Sequence, residues 1–149
     1  MKPILNSDFL DLIKCFNQED VEYLMVGGYS VIVHGYHRTT GDLDLWVNPT
    51  EINYHRITRA FGCFQMPMFD MTLHNFMNIE HMDVFRFGRP PVAIDLITSV
   101  KGLQFDEAYK NRETHILGGT DVAVLCRSDL ILAKRAANRL KDQDDLEHL

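Results

Sequence analysis

The spacing of apolar residues changes along the chain and predicts both helices and strands. Between residues 9 and 16 the apolar positions recur at helical intervals and predict an amphipathic helix, with Asn6 or Ser7 as its N-cap. Short apolar or alternating runs bounded by turn residues predict strands. These predicted strands cover residues 21–26, 42–47, 82–88, 91–98, 113–117 and 121–126. Gly118-Gly119 lies between the last two strands and predicts a hairpin turn.

Further helices are predicted between and after these strands. They cover residues 29–34, 50–60 and 128–140, with a last helical turn or two over residues 142–149. Gly35 is expected to end the first of them in a left-handed conformation, and Ser128 is expected to cap the third. Gly88, Arg89 and the two prolines that follow are interpreted as the connection between two strands. The methionine-rich residues 64–79 predict no element.

This order of elements predicts one domain, residues 1–149, built around a single sheet. Strands and helices mix without an internal repeat or a strict βαβ alternation, so we expect an α/β or α+β fold whose mixed β-sheet is flanked by helices. A helical segment closes the chain at its C-terminal end. A length of 149 residues is that of one ordinary domain with a real hydrophobic core.

Composition restricts the class of protein. With 46% hydrophobic and 24% charged residues the chain is typical of a globular protein, and no apolar run reaches membrane-spanning length. The first residues mix acidic with apolar side chains, so a secretory signal is not expected and the cytoplasm is the expected compartment. A formal net charge of −6 argues against a broad basic surface for nucleic acid.

The cysteines predict neither a disulfide framework nor a zinc site. Cys15, Cys63 and Cys126 are odd in number, lie far apart and form no CxxC pair. We therefore expect three reduced thiols that serve as packing residues.

Three aspartates point to chemistry. Asp42 and Asp44 are two apart in a predicted strand and so project from the same face, where like charges repel. Solvent exposure of that face is the ordinary explanation. Asp95 lies in an apolar run that predicts burial on both faces, where an ionised carboxylate needs compensation. A divalent metal held by all three would supply it, and Mg²⁺ prefers oxygen ligands.

A glycine pair precedes these aspartates. Gly27-Gly28 ends a buried strand and starts a helix, so backbone N–H groups could approach a phosphate with the helix dipole behind them. A glycine pair alone is usually only a turn.

Together these residues resemble the motif of the nucleotidyltransferase superfamily that includes DNA polymerase β. The motif is matched by Val26-Gly27-Gly28, by Asp42-Leu43-Asp44 and by Asp95 on a later strand, in that order. The sequence around the motif is similar to that of small prokaryotic members, such as the antitoxins of abortive-infection and minimal-nucleotidyltransferase systems. Residues 129–149 would then be the C-terminal helical motif.

The resemblance implies Mg²⁺-dependent transfer of a nucleoside monophosphate from a nucleoside triphosphate, ATP first, to an acceptor, with Mn²⁺ as an alternative metal. Asp42 and Asp44 would bind both metals, and Asp95 would bind the catalytic metal and help deprotonate the acceptor hydroxyl. Gly27 and Gly28 would hold the β- and γ-phosphates. The acceptor could be a tRNA end, a protein hydroxyl or a small molecule.

One departure from the motif matters for activity. Many catalytic members have serine at the position of Gly28, and its hydroxyl helps to hold the triphosphate. Here Ser30 or the backbone would have to replace it. A second hypothesis is therefore a binding protein of the same fold, an antitoxin with little or no catalysis. A toxin partner or a homodimer is expected because the chain has little room for an acceptor-binding domain. A metal-dependent phosphohydrolase ranks last, since no His-Asp cluster is present.

Three further residues are candidates for phosphate binding. Arg38 and Thr39, followed by Thr40, lie in the loop that enters the Asp42 strand, and a solvated arginine is the alternative for Arg38. Lys134 lies at the edge of the apolar face of the C-terminal helix. It is expected to face the phosphates. The alternative is that its aliphatic stem only covers the core while the ammonium group is solvated.

Overall fold

The computed structural model describes residues 4–89 and 91–149, which form one six-stranded sheet with helices on both faces. The strands are β1 Tyr23–Val26, β2 Leu43–Val47, β3 Val84–Arg89, β4 Val92–Ile97, β5 Glu113–Leu117 and β6 Thr120–Val124. The helices are α1 Ser7–Gln18, α2 Gly27–Val33, α3 Glu51–Phe64, α4 Leu73–Met77, α5 Phe105–Lys110, α6 Arg127–Ala137 and α7 Leu140–His148. None of the described helices is long and apolar enough to cross a membrane.

The sheet is mixed, with strand order β3-β4-β2-β1-β6-β5. The central pair β1–β2 is antiparallel, the pairs β2–β4 and β1–β6 on either side of it are parallel, and the outer pairs β3–β4 and β5–β6 are antiparallel. This confirms the predicted α+β fold with a mixed sheet. Gly118 and Gly119, both with positive φ, form the tight turn of the predicted β5–β6 hairpin.

Alternation along the central strands divides the core into two layers. Leu43 and Leu45 point to the face covered by α1 and α3, where the larger apolar cluster lies. Trp46 points to the other face and packs with Phe105 of α5 and Leu130 of α6. Because residues two apart in a strand share a face, Asp44 projects on the Trp46 side. The predicted carboxylates are therefore directed away from the larger core.

Helix boundaries follow the capping residues. Asn6 caps α1 by accepting a hydrogen bond from the Phe9 N–H at 2.8 Å, and Thr50 caps α3 in the same way. The predicted cap at Ser128 is wrong, because α6 begins at Arg127. The predicted continuous helix to Leu140 is also wrong. Asn138 adopts a left-handed conformation, with φ of 52°, and ends α6 so that α7 starts as a separate helix.

Other elements differ from the predictions. The sequence pattern misses α4 and α5, since helices this short carry little periodicity. Gly88 and Arg89 belong to β3, paired with Ala93 and Val92, and do not form the expected connection. Of the two prolines in that connection, Pro90 lies outside the described residues.

The expectation of three reduced thiols is wrong. Cys15 on α1 and Cys63 on α3 form a disulfide, with their Cα atoms 5.8 Å apart. The two helices pack side by side on one face of the sheet, so residues separated by 48 positions meet. Cys126 is a buried free cysteine, as expected.

Candidate active site

An open cleft of about 520 Å³ lies on the Trp46 side of the sheet. Seven of the residues singled out from the sequence line it: Gly27, Gly28, Arg38, Asp42, Asp44, Asp95 and Lys134. Thr40, Arg86, Arg139, Lys141 and Asp142 also line the cleft. The turn, the aspartates and the C-terminal helices thus meet in one concave surface.

The sheet register brings the aspartates together. Asp44 on β2 is the direct partner of Asp95 on β4 in the parallel pair, and Asp42 lies just before β2 begins. On the other side, Gly27 is so close to Asp44 that a built Cβ would lie 2.9 Å from the Asp44 Cγ. With a φ of 69°, Gly27 also adopts a conformation that favours glycine. The strand end and the turn therefore fix the Asp44 carboxylate between them.

An arginine that sequence reasoning missed neutralises two of the aspartates. The Arg86 guanidinium donates to Asp95 from Nε at 2.9 Å and from Nη2 at 3.0 Å, and Nη2 also donates to Asp42 at 2.8 Å. Asp95 is 8% exposed, so this bidentate pair supplies the compensation that its burial requires. No sequence pattern identified this arginine, because its contact with Asp95 depends on the register of the β3–β4 hairpin, in which the two residues are direct partners.

Among the residues that the structure describes, Asp44 has no such partner. Burial, with the added repulsion of the carboxylates of Asp95 and Asp42, raises its pKa from an ordinary value of 3.8 to about 6. Its carboxylate is the one of the three that the Arg86 guanidinium does not reach within hydrogen-bonding distance. The cleft therefore contains a carboxylate that strongly favours a proton or a cation.

A second charged cluster joins the cleft to α7. Lys134 is 7% exposed, and its Nζ lies 3.2 Å from an Asp142 oxygen and 3.0 Å from an Asp145 oxygen. Arg38 donates to both oxygens of Asp145, at 2.8 and 3.0 Å. Arg139 pairs with Asp142 at 2.7 Å. The two predicted phosphate-binding cations thus line the cleft while bound to carboxylates of α7.

These pairs hold the α7 carboxylates ionised. Although burial raises the pKa of Asp145, hydrogen bonds from Arg38 and Lys134 outweigh it and leave the pKa below its ordinary value. The pKa of Asp142 is lowered in the same way, where hydrogen bonds from Arg139 and Lys134 outweigh burial. Sequence reasoning missed both aspartates, because acidic residues on a polar helix are usually solvated.

Two predicted residues are not brought into the cleft. Ser30 is fully buried, and its hydroxyl donates to the Gly27 carbonyl at 2.6 Å. Thr39 is exposed beside the cleft, and its carbonyl accepts from Arg38 at 3.1 Å. The threonine of this loop that does line the cleft is Thr40.

The donor chemistry of the three aspartates fits Mg²⁺ or Mn²⁺, which prefer carboxylate oxygens. In the structure, the Arg86 guanidinium lies between Asp42 and Asp95 and pairs with both. Within residues 4–89 and 91–149, no three His, Cys, Asp or Glu side chains are grouped closely enough to hold a metal ion. A metal would have to compete with Arg86 for the same oxygens.

A family model described as "Nucleotidyltransferase of unknown function (DUF6036)" matches residues 7–149, from the start of α1 to the last residue of the chain. A search of curated proteins finds no match. The matched region contains the glycine turn, the three aspartates and both charged clusters.

Proposed function

The chain belongs to this nucleotidyltransferase family, and we propose that it transfers a nucleoside monophosphate from a nucleoside triphosphate, ATP first, to an acceptor hydroxyl. The observation that supports this most is the meeting of the Gly27-Gly28 turn with Asp42, Asp44 and Asp95 in one cleft. A glycine turn lets phosphate oxygens approach the backbone, and the neighbouring carboxylates are suited to bind the cation that a triphosphate carries.

In this proposal the three aspartates would hold Mg²⁺ or Mn²⁺, which when bound supplies positive charge against the phosphates. The acceptor oxygen forms a bond to the α-phosphorus, and the bond from that phosphorus to the bridging oxygen of the β-phosphate breaks. Pyrophosphate leaves with the electron pair. Asp95 accepts the proton of the acceptor hydroxyl, which requires Arg86 to release one of the two oxygens it now binds.

Arg38 and Lys134 have a defined role in the same proposal. Both cations line the cleft and both are bound to Asp145. A triphosphate oxygen can replace a carboxylate oxygen at either cation, because both are anionic acceptors of the same donors. A bound phosphate would then replace Asp145 as the partner of Arg38 and Lys134, and no new, unpaired charge would be buried.

Two measurements test this function. ATP with Mg²⁺ should raise the melting temperature by mass action, and ATP labelled at the α-phosphate should give a labelled acceptor together with pyrophosphate. Asp44→Asn and Asp95→Asn should abolish transfer, whereas Asp11→Asn, an exposed site on α1, should not. Products from tRNA, from protein and from small hydroxyl compounds are compared in the same assay. No thermal response to any nucleoside triphosphate at millimolar concentration would exclude the function.

A second candidate is a binding protein of the same fold, such as an antitoxin that acts on a partner chain. It is favoured by the internal pairing of the cleft, since Arg86 binds two of the aspartates and Asp145 binds both Arg38 and Lys134. A chain that binds ATP but releases no pyrophosphate with any acceptor would support this candidate. A stable homodimer or a co-expressed toxin in sedimentation analysis would then identify what the domain binds.

A further inference from the structure

Gly28 is a glycine for a steric reason, which distinguishes it from its neighbour. Gly27 has a φ of 69°, whereas Gly28 lies outside the positive region, so its backbone conformation is open to any residue. The obstacle at Gly28 is Thr40. A built Cβ at Gly28 would overlap the Thr40 Oγ1, would lie 2.7 Å from the Thr40 Cβ, and would lie 3.3 Å from Arg38 Nη1. The space beside the turn is therefore filled by the side chain of Thr40.

The Thr40 hydroxyl occupies space that the Cβ of a side chain on residue 28 would need. It lies against the glycine turn and lines the cleft. The side-chain hydrogen bonds around this turn are those of Ser30 to the Gly27 carbonyl and of Arg38 to the Thr39 carbonyl. Neither of them uses the Thr40 hydroxyl, so within residues 4–89 and 91–149 this O–H group is available as a donor to a ligand.

We propose that the Thr40 hydroxyl binds a phosphate oxygen of the nucleotide at the Gly27-Gly28 turn. The inference rests on the proposed nucleotide site and adds a binding residue to it. Anionic oxygen is the fitting ligand, because the hydroxyl lies beside the Arg38 guanidinium, and a donor next to a cation recognises an anionic acceptor. Gly28 and Thr40 then form one unit, in which the first residue lacks a side chain so that the second can reach the phosphate.

Removing the hydroxyl alone tests the contact. Thr40→Val keeps the shape of the side chain and should lower ATP affinity roughly tenfold in the presence of Mg²⁺, the scale of one hydrogen bond to a charged group. AMP should be affected less than ATP if the contact is to the β- or γ-phosphate. Thr40→Ser should restore binding, because it returns the hydroxyl. Thr39→Val is the matched control, since Thr39 is exposed and does not line the cleft.

Moving the hydroxyl across the turn gives a second test. Gly28→Ser alone should impair folding or binding, because its Cβ would overlap Thr40. Combining it with Thr40→Gly should recover ATP affinity to within about threefold of wild type. Glycine is required at position 40, because the Thr40 Cβ itself is 2.7 Å from the new Cβ. Thermal melts without nucleotide establish that each variant is folded.

The outcomes separate this inference from the proposed function. If wild type binds ATP and a folded Thr40→Val binds it equally well, the Thr40 contact is wrong and the nucleotide site stands. If wild type binds no nucleotide, both fall together. Loss of affinity in Thr40→Val, retention in Thr39→Val and recovery in the exchanged pair would establish the unit.

Discussion

Replacing Asp44 by asparagine should stabilise the protein when neither metal nor nucleotide is present. The carboxylate is partly buried beside Asp42 and Asp95, and its pKa is raised from an ordinary value of 3.8 to about 6 by burial first and by those two charges second. Arg86 neutralises the two neighbours but does not bind Asp44. Asparagine has nearly the same shape and carries no charge, so the substitution removes an unfavourable ionisation without opening a cavity.

The size of the effect follows from the pKa difference. A carboxylate that titrates near 6 in the folded chain and near 3.8 in the unfolded chain costs about 3 kcal/mol once it is ionised in both. Because the folded pKa is the higher one, this cost is absent below about pH 4, grows through pH 6 and is complete above it. In a domain of this size, 3 kcal/mol corresponds to roughly 6 to 12 °C in melting temperature.

The assay is urea unfolding of wild type and Asp44→Asn in EDTA at several pH values between 4 and 8. The difference in unfolding free energy should be near zero at pH 4 and should favour the variant by about 3 kcal/mol at pH 8. Mg²⁺ should stabilise wild type and not the variant. A variant less stable than wild type at pH 8 in EDTA would refute the reasoning, because Asp44 would then have a favourable partner.

The two neighbouring aspartates supply matched controls, for which the expected change in stability differs from that of Asp44→Asn. Asp95→Asn should destabilise by about 2 to 3 kcal/mol, somewhat less than a fully buried ion pair, since its partner Arg86 is half exposed. Asp42→Asn should change stability by about 1 kcal/mol or less, because both members of its pair are partly solvated. Three substitutions of one chemical kind in one cleft should thus give three different results.

The remaining predictions concern the other charges and the disulfide. Arg86→Met should lower the melting temperature in EDTA and enlarge the rise caused by Mg²⁺, since the guanidinium no longer competes for the Asp95 oxygens; a Mg²⁺ response equal to that of wild type would contradict this. Lys134→Met should lower the free energy of unfolding in urea, without nucleotide, by about 3 kcal/mol. This is the low end for a buried ion pair, because each carboxylate partner retains an arginine. An unchanged stability would exclude the ion-pair role. Reduction of Cys15–Cys63, which spans 48 positions, should lower the free energy of unfolding by up to about 4 kcal/mol, measured with and without dithiothreitol.

Much of the site could be predicted because it depends on local patterns. Asp42 and Asp44 are two positions apart at the start of β2 and line the same cleft. The motif order brings Asp95 to the adjacent strand, as the register Asp44 to Asp95 confirms. The turn at Gly27-Gly28 is likewise visible as a strand that ends in glycines. These features depend on spacing within a few residues, which a sequence shows directly.

What could not be predicted depends on contacts between distant elements. Arg86 is a single basic residue between two phenylalanines, and its role appears only when the hairpin register places it opposite Asp95. Asp145 lies 107 positions from Arg38, its partner. The packing of Cys15 against Cys63 is of the same kind, because it needs two helices to lie side by side. Single-residue periodicity contains no information on such pairs.

The pairing of charges in the cleft limits how a triphosphate can bind. Arg86 is bound to two aspartates, and Arg38 and Lys134 are bound to Asp145. A triphosphate brings several further negative charges to a place that already holds the partly buried Asp44. The cleft can accommodate this negative charge in two ways: a further cation binds with the triphosphate, or a phosphate replaces a carboxylate as the partner of a cation that is already present. ATP binding should therefore depend strongly on a divalent cation. Any ATP binding that persists in EDTA should replace Asp145 at Arg38 and Lys134, and should thus separate α7 from these two cations.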